Sequence, residues 1–171
     1  VTLIDLGIYG TGDVKVHLEV IYEELVFYCS KGKIPLHMMG LTRTLVGYGS
    51  SADYPTGNWF KGADTVSLCK FLQHKFASVL VACAPDERPY VRNILAMLRA
   101  CNTFMSTMYH GDVFLTDDER RILIRNGHVV TTKFAACASH AYHTLNIPRY
   151  KYQPKYHFFA EVVYKLESDQ R

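Results

Sequence analysis

The run PRYKYQPKYHFF, residues 148–159, alternates three cations, Arg149, Lys151 and Lys155, with three tyrosines, Tyr150, Tyr152 and Tyr156. Cations of this kind neutralise phosphates, and tyrosine faces stack on unpaired bases, so the pattern is that of a single-strand nucleic-acid contact. The same residues have a second use. Cation stems lie on aromatic rings, and tyrosines cover a core with their hydroxyls in water. Pro148 and Pro154 bracket the linker and favour an extended path over the surface.

Other spacings point to metal or phosphate chemistry. Cys137, His140 and His143 follow one another at intervals of three, which puts them on one helical face. His140 and His143 could share a metal that His157 completes, with Glu161 beside it, if two helices meet there. The competing reading is a set of border histidines, with Glu161 and Lys165 as a solvated i, i+4 ion pair. Gly7, Gly10 and Gly12 have a GxxGxG spacing ahead of a helix, but Asp13 and Val14 stand where a phosphate loop needs Lys and Ser/Thr. A flexible turn fits those residues better. No activated nucleophile is legible: GxSxG is absent, and no cysteine adjoins a helix start or a cation. The acidic pairs Glu23-Glu24 and Asp117-Asp118 read as structural, the second favouring a helix N-terminus.

These residues need elements to hold them, and the periodicities predict about six helices. The first spans Asp13, its cap, to Cys29, and Lys31-Gly32-Lys33 ends it. A short second one follows Pro35 and stops near Gly47. The third starts near Ala63 and carries a wide apolar stripe through Phe71, Phe76 and Val79 to Cys83, which makes it central. The fourth follows Pro89 and closes at His110-Gly111. The fifth opens on the capping box Thr116-Asp117-Asp118-Glu119 and is apolar at Leu123, Val130, Phe134, Cys137, Ala141 and Leu145. The sixth follows Pro154, with Phe159, Val162, Val163 and Leu166 inward. Only VTLID reads as extended. The expected fold is an all-α bundle with a short N-terminal extended segment, one domain over 1–171. Within the Gly- and Ser-rich loop 47–61, Trp59 is expected to anchor against the bundle.

Apolar residues are 49% and charged ones 20%, the balance of a globule that buries one core. The formal charge of +3 is no more than Arg149, Lys151 and Lys155 supply, so polyanion binding rests on local charge alone. The five cysteines lie fourteen or more residues apart among apolar neighbours, which reads as reduced, buried thiols in an intracellular protein. The longest apolar run, FASVLVACAP, is too short for a bilayer, and no signal peptide is visible. The opening Val1 reads as the start of a piece of a longer chain.

Four phrases carry a resemblance: IDLGIYGTG, SADYPTGNWFKGADTVSLCKFL, FMSTMYHGDVFLTDDERRI and YQPKYHFFAEVVY. In this order they resemble a multi-copy family of transposon-derived dinoflagellate proteins, similar to the helical region of CACTA-like transposases. The densest piece is the run of Tyr54, Pro55, Gly57, Trp59, Lys61, Gly62 and Asp64, followed by Pro154, Lys155 and His157. The resemblance implies a helical region inserted in a metal-dependent core, with Asp5 matching the Asp of a D-x-x-H segment. Here Ile8 stands at the His position, and the other strands and carboxylates are missing. The expectation is a non-enzymatic helical interaction module, without a cofactor, that contacts nucleic acid or a larger parent polypeptide, not a membrane. The nucleus is a candidate compartment. Two alternatives stand beside it: a remnant of a strand-transfer enzyme using Asp5, and a metal-binding helical bundle using His140, His143 and His157.

Overall fold

The computed structural model describes residues 1–57, 62–112 and 114–168. It is all-α, with no strand among the described residues. The helices are α1 (Thr2–Asp5), α2 (Val14–Gly32), α3 (Arg43–Val46), α4 (Gly62–Ala82), α5 (Arg88–His110), α6 (Asp117–His143) and α7 (Pro154–Ser168). None is long and apolar enough to cross a membrane.

The helices pack in series: α2 on α4, α4 on α5, α5 on α6, and α6 on α7. Two apolar clusters make most of the core. Leu18, Ile21, Leu25 and Cys29 of α2 meet Leu41 and Phe71. Phe76 and Val79 of α4 meet Tyr90, Val91, Ile94, Leu95 and Leu98 of α5, Cys137 of α6 and Leu3 of α1. The α4 helix feeds both clusters, as its wide apolar stripe requires. A third cluster, Phe104, Leu123 and Val163, seats α7.

Local signals set several helix ends. Asp13 accepts from the Lys15 amide at 2.9 Å and caps α2. Thr116 and Glu119 form the reciprocal capping box of α6. Pro89 lies in the first turn of α5, and Pro154 opens α7. At Gly127 an added Cβ would sit 2.3 Å from Val163 Cγ2, so α6 and α7 approach more closely than any side chain there allows.

Two elements differ from the expectation. VTLID is not extended: the amides of Ile4 and Asp5 donate to Val1 O, and Leu6 N donates to Thr2 O. A lone strand with no neighbour leaves its backbone groups unpaired, whereas a helical turn pairs them locally and turns Leu3 into the core. Nor does Pro35 start a helix. Its carbonyl accepts from Ser67 Oγ at 3.0 Å, and the His37 amide donates to Asp64 Oδ1 at 2.8 Å, so α4 pins the segment in an irregular path. Only α3 is helical there. It ends at Gly47 with φ +63, where a Cβ would also meet the Thr56 backbone at 2.3 Å. The expectation for Trp59 lies outside the described residues.

Candidate nucleic-acid interface

The segment 148–156 connects α6 to α7, and its residues do not share one surface. Arg149 is 4% exposed. Its Nε and Nη2 donate to Asp5 Oδ2 and Oδ1 at 2.8 and 2.9 Å, a bidentate pair that joins residues 144 apart in sequence. Nη1 donates to the carbonyls of Pro148, Asp53 and Ser51 at 2.7, 3.0 and 3.3 Å. The guanidinium also lies 5.6 Å from the Tyr48 ring centroid. Burial opposes its charge, but the hydrogen bonds and charge of Asp5 outweigh this and hold Arg149 above its usual pKa. Arg149 thus fastens the N-terminal helix, the loop after α3 and the segment itself.

Tyr150 also turns inward. Its hydroxyl lies 3.3 Å from that of Tyr90 and 3.2 Å from Thr2 Oγ1, and its ring meets Phe134 edge-on. Burial raises its pKa well above the ordinary tyrosine value. Its φ of +58 is a left-handed conformation uncommon for an aromatic residue. Alternating sides require extended backbone at every position, and this residue breaks it. Neither Arg149 nor Tyr150 can therefore meet a phosphate or a base while the clamp is closed. The sequence expectation for these two is corrected on that ground.

The outer residues differ. Lys151, Tyr152 and Lys155 are exposed, and Lys155 has no ion-pair partner among the described residues. Lys151 Nζ lies 5.9 Å from the Tyr54 ring centroid. Tyr152 packs at 5.5 Å on Phe134 and edge-on at 4.9 Å on Tyr156, yet stays 49% exposed. Tyr156 is half-buried and donates its hydroxyl to Thr131 O at 3.3 Å. Four of the six named residues thus keep some access to solvent.

Asp5 has both carboxylate oxygens engaged by Arg149, and its side chain is 7% exposed. A metal ion would have to displace the guanidinium to reach it. The three histidines go to separate places. His140 stacks on Tyr90 at 4.4 Å and 14°, His143 meets Tyr142 edge-on, and His157 meets Tyr156 edge-on. No group of three His, Cys, Asp or Glu converges among the described residues. The glycine loop leads into an α2 N-terminus that Asp13 already caps.

All five cysteines are free. Burial pushes the Cys69 thiol up to about 11 and Cys101 and Cys137 up to about 12, which keeps them protonated and unreactive. Between α2 and α4, Lys75 pairs with Glu24 at 2.7 Å, and the Tyr9 hydroxyl donates to the other oxygen of Glu24 at 2.7 Å.

The reading of the sequence missed the tyrosines that meet the segment, Tyr48, Tyr54 and Tyr90. No local pattern marks them, because they join it from distant helices and loops. It also passed over the acid-free α5, on which Arg88, Arg92 and Arg99 recur near helical spacing. That signal was visible in the sequence. Comparison with protein-family models, curated proteins and solved structures gives no match to the chain.

Proposed function

We propose that this chain is a non-enzymatic helical interaction module of a transposon-like protein. It contacts single-stranded nucleic acid through Lys151, Tyr152 and Lys155, with Tyr156 beneath them. The observation that carries the reading is the division of labour within residues 148–156. Arg149 and Tyr150 fix the base of the segment inside the fold. Two exposed cations and a half-exposed ring are left on its outer side. A segment held in place loses little entropy on binding, which favours a contact over a loose tail of the same composition.

The test is anisotropy of a labelled single strand and a labelled duplex across a salt series. Wild type is compared with Lys151→Ala/Lys155→Ala and with Tyr152→Ala. Each lysine that neutralises a phosphate contributes about 0.7 to the single-strand slope, so the double variant is expected to lower it by about 1.4. Tyr152→Ala is expected to weaken the single strand selectively, by about 1–3 kcal/mol per stacked base. Equal slopes in wild type and double variant, or no binding at low salt, would overturn the reading.

A further inference from the structure

On the other side of the molecule, α4 and α5 leave an open groove of about 590 Å³ between them, the size range of small-ligand sites. Its lining includes Tyr28, Lys70, Gln73, Arg99, Asn102 and Thr103, and no carboxylate. The field there is one-signed. The α5 helix carries no Asp or Glu, and the one acid of α4, Asp64, is buried against His37. Lys70 and Arg99 are exposed, and neither has an ion-pair partner among the described residues.

The amide at Asn102 adds a second demand. Its Nδ2 donates to Cys69 O at 3.2 Å and to Gln73 Oε1 at 2.8 Å. A backbone carbonyl only accepts, so the nitrogen must face Cys69, and the orientation of the amide is fixed. Its Oδ1 is then buried, and no protein group donates to it. A buried acceptor of this kind calls for a donor. At the edge of the groove, Tyr28 is held against Phe71 and His74, with centroids at 5.8 and 5.4 Å. It offers a rigid aromatic surface.

We infer that this groove binds a nucleoside monophosphate. The phosphate pairs with Lys70 and Arg99, a ribose or base donor reaches the Asn102 amide, and the base lies on Tyr28. Bare phosphate would use only the cations, and adenosine only the other two groups. The site is independent of the segment 148–156, so either can fail without the other.

The experiment is titration of the full chain, followed by calorimetry and amide chemical shifts, with AMP, ribose 5-phosphate, inorganic phosphate and adenosine. AMP is expected to bind most tightly. Lys70→Ala and Arg99→Gln, both at exposed positions, are each expected to weaken it about tenfold with an unchanged urea midpoint. Asn102→Asp, which places a negative charge beside the phosphate site, is expected to weaken AMP further than either. Lys151→Ala/Lys155→Ala is expected to leave AMP affinity unchanged. No saturable AMP binding, AMP affinity insensitive to Lys70→Ala and Arg99→Gln, or adenosine binding as tightly as AMP would overturn the inference. The dinucleotide ApA, which has a diester and no terminal phosphate, distinguishes the sources of the ligand. Competition by ApA equal to that of AMP would overturn the monoester assignment and put a nucleic-acid strand in the groove instead.

Discussion

Replacing Arg149 with Met removes the charge that answers Asp5 while keeping most of the side-chain volume. Asp5 and Arg149 side chains are 7% and 3% exposed, so the carboxylate is left unpaired in a dry site. Breaking one partner of such a pair costs about 3–5 kcal/mol. The carbonyls of Ser51, Asp53 and Pro148 lose a donor as well, but the loop after α3 can turn them to water, so the lower part of that range is expected. Against a typical total of about 5–15 kcal/mol, a loss near 4 is large. With a urea m-value of about 2 kcal/mol/M, it moves the midpoint down by about 2 M. Asp5→Leu alone strands the cation and costs a similar amount. The double variant Asp5→Leu/Arg149→Met strands neither, so it is expected to be more stable than Arg149→Met alone. Equilibrium urea unfolding of the four proteins gives the coupling energy. A loss below about 1 kcal/mol for Arg149→Met, or single effects that simply add in the double variant, would refute the argument that this pair holds the termini together.

Gly127→Ala is expected to destabilise by about 1–2 kcal/mol: overpacking against Val163 at 2.3 Å outweighs the roughly 1 kcal/mol helix-propensity gain of alanine. In a Val163→Ala background the same change is expected to stabilise, and a raised urea midpoint for Gly127→Ala alone would sink the close-packing account. Alkali is expected to weaken the fold through Tyr90, which burial pushes up to about 12 from an ordinary 10.0. The folded pKa lies above the unfolded one, so the contribution is whole below about pH 10 and is lost as pH rises toward about 12, up to about 3 kcal/mol. Urea midpoints measured over that window should fall less in Tyr90→Phe than in wild type. Equal falls would mean that other groups set the alkaline limit.

The helical order was legible because each long helix carries both a start signal and a repeating apolar face. Thr116 to Glu119 is complete within four residues, and its geometry follows from types and spacing alone. The same holds for Pro154 at the first position of α7. The two failures share a cause. VTLID has strand-like composition, but a strand needs a partner, and whether one exists is not written in those five residues. Pro35 has the right form for a helix start, but the groups that a helix would use are claimed by Ser67 and Asp64, about thirty residues away. In both places a distant partner for the backbone, or its lack, overrides local preference.

The candidate site failed in one half for a related reason. The alternation in residues 148–156 was read as if every residue were extended, which would put the cations on one side and the rings on the other. A single residue in left-handed backbone, Tyr150 at φ +58, cancels that assumption for its neighbours. Asp5 then decides which cation goes inside, because it is a buried carboxylate that only a guanidinium can answer at both oxygens. Lysine at position 149 could satisfy the charge but not the bidentate fork and the three carbonyls together. The choice of Arg at 149 and Lys at 151 and 155 is thus the one trace of the division that the sequence itself carried. It became readable only once Asp5, 144 positions earlier, was seen beside it.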